Sequence, residues 1–212
     1  MLIAIVGPDG CGKTTVANEL VIKLSKDKIN ATHYAMHFGI LPKLKDLINP
    51  FLRRKIDSSH KEGEYYAGMK NKPNSKFKGS IYVIWYAFDY FFGRFKIARS
   101  SRKKEVIIFA RYYYDYYFQR GHSNTPQYII NFFEKFIPRP DLIITISRPA
   151  KDIFNLKPEL SLPEIERQQD IIKLLFNKRN NSHIIDGSNG IIYTVSKIYG
   201  LIKSHARAQD LF

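Results

Sequence analysis

A chain of 212 residues with 44% hydrophobic and 25% charged residues has enough apolar material for one domain with a sizeable core. Its single cysteine, Cys11, excludes a disulfide framework and points to a reducing compartment. The 34 Lys and Arg against 19 Asp and Glu give a formal charge of +15, which favours anionic partners: nucleotides, phospholipid headgroups, anionic glycans or nucleic acid.

The opening MLIAIVGP lacks the basic and long apolar regions of a signal peptide, so none is expected. LIAIV (2–6) predicts a short strand running into a glycine loop, with a helix from Lys13 to about Lys26. ATHYAMHF (31–38) has the composition of a second strand, and LPKLKDLINPFLRRK (41–55) has helical spacing broken by Pro50. Residues 57–78 are polar and predict a long loop; Ser80 to about Ser100 predicts a buried aromatic helix. Its most apolar run, IYVIWYAFDYFFG, is too short and carries Asp89, so it is not expected to span a bilayer.

VIIFA (106–110) and LIITI (142–146) are continuous apolar runs, the pattern of strands buried on both faces. PEIERQQDIIKLLFNK (163–178) opens with proline and continues with helical spacing. HIID (183–186) predicts a fifth strand, followed by GSNG and a helix from Ile191 to about Ser204. Strands alternating with helices imply one α/β domain over 1–212, a parallel sheet flanked by helices on both sides. The basic clusters LRRK (52–55), KNKPNSKFK (70–78) and SRKK (101–104) lie between apolar segments and read as solvated loops and helix ends. No nucleic-acid module accompanies them, so nucleic acid is not favoured as a partner.

In GPDGCGKTT (7–15), Gly7, Gly12, Lys13 and Thr14 satisfy G-x-x-x-x-G-K-[ST] between a strand and a helix. That spacing lets successive backbone N–H groups point at phosphate oxygens at the positive end of the helix dipole. Lys13 is expected to reach the β- and γ-phosphates of ATP, and the Thr14 hydroxyl to ligate Mg2+. Cys11 reads as a small space-filler, with thiol reactivity from the nearby positive potential as the alternative.

The loop with Asp9 at its third position, RYYYD (111–115), RPDLIITI (139–146), KPELSLPEIERQQ (157–169) and HIIDGSNG (183–190) together resemble the thymidylate kinase branch of the P-loop nucleoside monophosphate kinases over nearly the whole chain. HFGILPKLKDL (37–47) and FDYFFG (88–93) resemble a subgroup encoded with bacterial capsule and lipopolysaccharide genes. The resemblance implies a P-loop NTPase three-layer sandwich with a five-stranded parallel sheet, an acceptor-side loop and helix over 57–100, and a short lid over about 155–163. It implies ATP- and Mg2+-dependent phosphoryl transfer to a nucleoside monophosphate. A sugar or lipid-linked glycan acceptor is the alternative within the subgroup. It also implies that Gly7, Gly10, Cys11, Gly12, Lys13, Thr14 and Thr15 hold the phosphates and that Ser188 and Asn189 flank the adenine.

By the same resemblance Arg111 holds the acceptor phosphate, and Asp9 faces the acceptor sugar or a metal-bound water, with a turn-stabilising role as its alternative. Gly10 stands where one kind of thymidylate kinase has a catalytic arginine, which implies the kind whose lid supplies it. Leu156 occupies the lid arginine's place; Lys157 and Arg167 are nearby, and Arg167 is the preferred cation. The family's acidic residue for magnesium corresponds to Ala110, which cannot ligate a metal.

Three explanations stay open for Ala110: a degenerate nucleotide binder acting as a silent regulator, another carboxylate such as Asp9 or Asp115, or an alanine introduced to trap substrate. Asp89 in its aromatic helix requires a partner, either a substrate or a structural hydrogen bond. Asp115 is placed to brace Arg111 across one helical turn. Tyr112, Tyr113, Tyr114, Tyr116 and Tyr117 read mainly as packing, and His33, His37 and His60 have no metal-ligand spacing. The expected location is cytoplasmic, with peripheral contact at the inner face of a membrane and a homodimer through the aromatic helix both open.

Overall fold

The structure, a computed structural model, describes residues 1–44, 46–47 and 73–208. Five parallel strands, β1 (Leu2–Val6), β2 (Ala31–Tyr34), β3 (Val106–Phe109), β4 (Leu142–Ser147) and β5 (Ser182–Asp186), form one sheet in the order β2-β3-β1-β4-β5. Registers such as Ala4 against Phe109 and Ile143 place the phosphate loop's strand at the centre. Between and after the strands come α1 (Lys13–Lys26), α2 (Lys76–Arg102), α3 (Asp115–Phe118), α4 (Gln127–Glu134), α5 (Ala150–Leu156), α6 (Leu162–Phe176) and α7 (Ile191–Ala208).

The strands' two-residue period divides the core in two. Ile3 and Ile5 of β1, Val106 and Ile108 of β3, and Leu142, Ile144 and Ile146 of β4 face α1 and α7 through Val16, Leu20, Leu24, Ile198 and Ile202. Leu2, Ala4, Val6, Ile107, Phe109 and Ile143 face the other way, onto Val83, Tyr86 and Tyr90 of α2, Ile130 of α4 and Ile172 of α6. Helices on both faces make the three-layer α/β sandwich expected from the sequence. Tyr90 is the centre of the second cluster, with ring centroids 4.9 Å from Tyr112, 5.9 Å from Phe109 and 6.0 Å from both Phe38 and Tyr113. Truncating it to alanine should cost about 3–5 kcal/mol.

Several boundaries differ from expectation. The second strand stops at Tyr34 rather than continuing to residue 38, because Phe38 leaves the sheet to fill the space over Gly93, where any Cβ would lie 2.1 Å from its ring. The helix expected over 80–100 begins at Lys76, capped by the Ser75 hydroxyl accepting from the Lys78 amide. The last residues of the expected 57–78 loop are therefore helical. Residues 57–72 of that loop, with His60, and residues 45 and 48–55 of the expected 41–55 helix, with LRRK (52–55), lie outside the described residues. The final helix runs to Ala208, beyond the expected Ser204.

Asp89 has a structural partner. Fully buried, it accepts from the amides of Gly39, Ile40 and Leu41 at 3.2, 2.6 and 2.9 Å, tying the segment after β2 to α2. Tyr112, Tyr113, Tyr114 and Tyr116 are buried packing residues, and Tyr117 donates to Asn131 and Glu134.

Candidate active site

The phosphate loop leaves the carboxyl end of β1, where ligand sites of open α/β sheets form. Gly12 caps α1 at φ 101, a left-handed conformation that glycine adopts without strain, and a Cβ at Gly7 would fall 2.6 Å from the Cys11 sulfur. Cys11 fills this gap. Burial raises its thiol pKa and outweighs the lowering by Lys13, so the space-filling reading holds over the reactive one. The first turn of α1 has no acidic residue and no side-chain cap, which leaves its leading N–H groups for an anion. Thr14 and Thr15 are exposed on that turn.

Lys13 is buried. Its ammonium donates to the carbonyls of Gly7 (2.6 Å) and Pro8 (2.8 Å) and stands 3.5 Å from Asp9 Oδ1. The same Asp9 oxygen accepts from Arg111 Nη2 at 2.5 Å, joining residues 102 apart in sequence. Arg111 follows the end of β3, half-exposed. Burial opposes its charge, but Asp9 and then Asp115 more than offset this and hold its pKa above the ordinary value.

Asp115 begins α3 and is completely buried. The expected brace to Arg111 is loose: Nε lies 3.9 Å from Asp115 Oδ2, beyond hydrogen-bond reach. Oδ2 accepts from Gln119 Nε2 at 2.9 Å, while Oδ1 and Arg111 Nε are buried with no hydrogen-bond partner. Burial pushes the Asp115 carboxyl up to about 7, against the downward pull of Lys13 and Arg111. The result is an alternating array, Lys13, Asp9, Arg111, Asp115, at the mouth of the phosphate loop.

Ala110 is buried just past β3, its amide donating to Tyr34 O at 3.0 Å and its methyl packed in the same apolar cluster as Cys11 and Val16. The Ala110 side chain has no atom that can ligate a cation. Among the described residues, Asp9 and Asp115 are the carboxylates grouped electrostatically with Lys13.

The segment expected as a lid follows α5. Leu156 is exposed, Lys157 caps the helix, and its ammonium pairs with Glu159 at 3.1 Å. This segment lies on the phosphate loop: a Cβ on Gly10 would meet Lys157 Cβ at 3.4 Å and Lys157 O at 3.5 Å. Glu159 also supports the charge of Arg111. Arg167, the preferred lid cation, is engaged elsewhere. Its Nε and Nη2 make a bidentate pair with Glu164 at 2.9 and 2.7 Å, and Nη2 also donates to Phe118 O at 2.7 Å, fastening α6 to α3. Of the two basic residues, Lys157 is the one whose backbone adjoins the loop at Gly10.

On the other side of the loop a cavity of about 420 Å3 is lined by Pro8, Thr145, Arg148, Gln169, Asp186 and Ser188, among others. Thr145 Oγ1 and Arg148 Nε are buried there without hydrogen-bond partners. Asp186 accepts from the Ser188 amide at 2.9 Å and Asn189 Nδ2 at 3.1 Å, fixing the loop that contains both residues. Arg148 carried no motif and was not anticipated; its position, just after an apolar strand like Arg111, was the available signal. A larger cavity of about 520 Å3, between Tyr114, Arg139, Arg179 and Asn181, lies at the opposite end of the strands. There Arg179 donates to Tyr114 Oη, Glu134 and the Leu175 carbonyl.

No protein-family profile and no curated protein sequence matches the chain. Among solved structures, thymidylate kinase from Candida albicans superposes with a TM-score of 0.66 at 19% identity, over 96% of this chain and 91% of that one. That protein is described as having a broad substrate specificity. This likeness shows a shared α/β fold, a five-stranded parallel sheet with helices on both faces.

Proposed function

We propose that this chain is a phosphotransferase, moving the terminal phosphoryl of ATP to an anionic acceptor, with a nucleoside monophosphate as the first candidate. The observation that carries the reading is the Lys13–Asp9–Arg111–Asp115 array beside a phosphate loop whose helix N-terminus has no side-chain cap. The residues fit the group: the glycines leave room for it, the first-turn amides are directed at it, and the exposed Thr14 hydroxyl is free to reach a divalent ion. Bound Mg2+–ATP supplies the transferable phosphoryl and the divalent charge that neutralises it.

The chain's own groups do the positioning. Lys13 exchanges the carbonyls of Gly7 and Pro8 for phosphate oxygens. Arg111, oriented by Asp9, holds the acceptor's anionic group against the donor, and Lys157 adds a cation from above. Such transfer relies on orientation and charge neutralisation more than on covalent help from the protein. Thr145 and Arg148 line the space for the base, with Ser188 and Asn189 at its edge. With alanine at 110, Asp9 and Asp115 are the two candidate carboxylates for proton acceptor or partner to a metal-bound water, and Asp9 is the one whose side chain reaches the surface.

The capsule and lipopolysaccharide subgroup resemblance supports a second acceptor class, a phosphorylated or lipid-linked sugar. The opposite reading, a silent ATP-binding regulator, draws on Ala110 and Leu156. A panel following ADP release with dTMP, other nucleoside monophosphates and sugar phosphates tests all three. Turnover of dTMP equal to or above every other acceptor supports the nucleotide kinase. Turnover of a sugar phosphate alone moves the assignment to the second class. ATP binding without ADP release for any acceptor refutes the phosphotransferase.

A further inference from the structure

A helix that is apolar around its whole circumference is expected to be covered on every side. Among the described residues, α2 is covered on one side only. Val83, Tyr86 and Tyr90 enter the core, whereas Phe77, Ile81, Phe88, Phe91 and Phe95, three to seven residues apart along a single stripe, face solvent. Phe77 and Phe95 are 77% and 75% exposed. The surface continues onto α4 and the turn after it, where Tyr128, Phe132 and Phe136 are also exposed. The Phe88 ring lies 6.3 Å from Phe133, which lies 5.2 Å from Phe132. Arg94 stacks over Phe91 at 4.9 Å and donates to the Phe136 carbonyl at 2.8 Å. This is one contiguous aromatic face, unlike the single exposed apolar residues common on protein surfaces.

Charge selects the occupant. Every exposed charged side chain of α2 is cationic: Lys76, Lys78, Arg94, Arg99 and Arg102. The helix's one acid, Asp89, is buried against backbone amides, and Glu134 of α4 is paired with Arg179. In a two-fold dimer the same patch meets itself, so these cations would face cations. An anionic bilayer suits both features, with aromatic rings at the headgroup–acyl boundary and Lys and Arg reaching lipid phosphates.

We infer that the outer face of α2 and α4 docks this protein on an anionic lipid bilayer. The contact is peripheral, since no described helix is long and apolar enough to cross a membrane. The inference is independent of the reaction assigned to the phosphate loop.

The test is co-sedimentation with phosphatidylcholine vesicles, with and without phosphatidylglycerol. The variants are a Phe77→Ser/Phe95→Ser pair and an Arg99→Glu/Arg102→Glu pair, with melting temperatures as the check on folding. The full chain should bind vesicles containing phosphatidylglycerol, and each pair should weaken binding at least about tenfold. A second readout needs no variant. Trp85, the single tryptophan, lies on the partly exposed flank of α2, and brominated acyl chains in the anionic vesicles should quench it. Absent binding, absent quenching, or full binding by a folded phenylalanine pair overturns the inference. So does a dimer in sedimentation equilibrium that the phenylalanine pair dissolves, which would assign the face to a second copy of the chain.

Discussion

Asp115→Asn should make this protein more stable at neutral pH. The substitution keeps the size of the side chain and an oxygen able to accept from Gln119 Nε2, while removing a carboxyl that is wholly buried and has one oxygen without a partner. Burial raises that carboxyl from 3.8 to about 7, so the folded protein holds the proton more tightly than the unfolded chain. The sign follows: this group's contribution is most favourable below pH about 4 and is lost as pH rises through about 7. The gap of about 3 pH units, at about 1.4 kcal/mol each, amounts to about 4 kcal/mol. Between about pH 4.5 and pH 8, roughly 3 kcal/mol of it should appear as a growing stability advantage of the asparagine variant. Urea unfolding of both proteins at the two pH values measures it. If Asp115 serves the reaction, ADP release should fall in the more stable variant, as expected when a strained site is relaxed. A stability difference that does not change with pH would refute the reasoning, because it would mean that Asp115 is not held protonated by its surroundings.

Lys13→Ala should lower ATP affinity at least about tenfold by calorimetry, since a charge-assisted contact to phosphate is lost. Ala110→Asp places a carboxylate among Cys11, Val16 and other apolar residues, and should cost about 3 kcal/mol or more in a melt without Mg2+. Recovery of that loss with Mg2+ and nucleotide would show that a metal reaches position 110, and unchanged ATP consumption would show that its side chain has no part in turnover. Arg167→Ala should cost about 1–2 kcal/mol through Glu164 and the Phe118 carbonyl, with a proportionally smaller effect on ADP release; a fall in turnover of about a hundredfold would return Arg167 to catalysis.

The strands were legible where both faces are buried: VIIF and LIIT are apolar without interruption because helices cover them on each side. β2 was read too long because Phe38 has strand chemistry but packs against α2 rather than in the ladder. The start of α2 was hidden by Lys76 and Lys78, although Ser75 offered a cap. In the site, Lys13 and Thr14 were fixed by local spacing, since the loop that needs them is a single turn. The contact of Arg111 with Asp9 joins two strand ends distant in the chain; the resemblance to known kinases named each residue separately and did not point to their pairing. That Glu164, one turn earlier, pairs with Arg167 is a packing detail its sequence neighbourhood does not reveal. The unpaired burial of Asp115 is a property of packing and has no counterpart in a motif.

The contact between Lys157 and Gly10 links two positions that sequence comparison treats separately. A Cβ at position 10 would touch Lys157 Cβ and Lys157 O at contact distance and press on Ile153 Cγ2 at 3.3 Å. An arginine at position 10 would need both a left-handed backbone, φ 94, and a shift of Ile153, so this turn disfavours it. A glycine-turn arginine grafted here should therefore be tolerated only where Ile153 and the segment after α5 can shift to receive it.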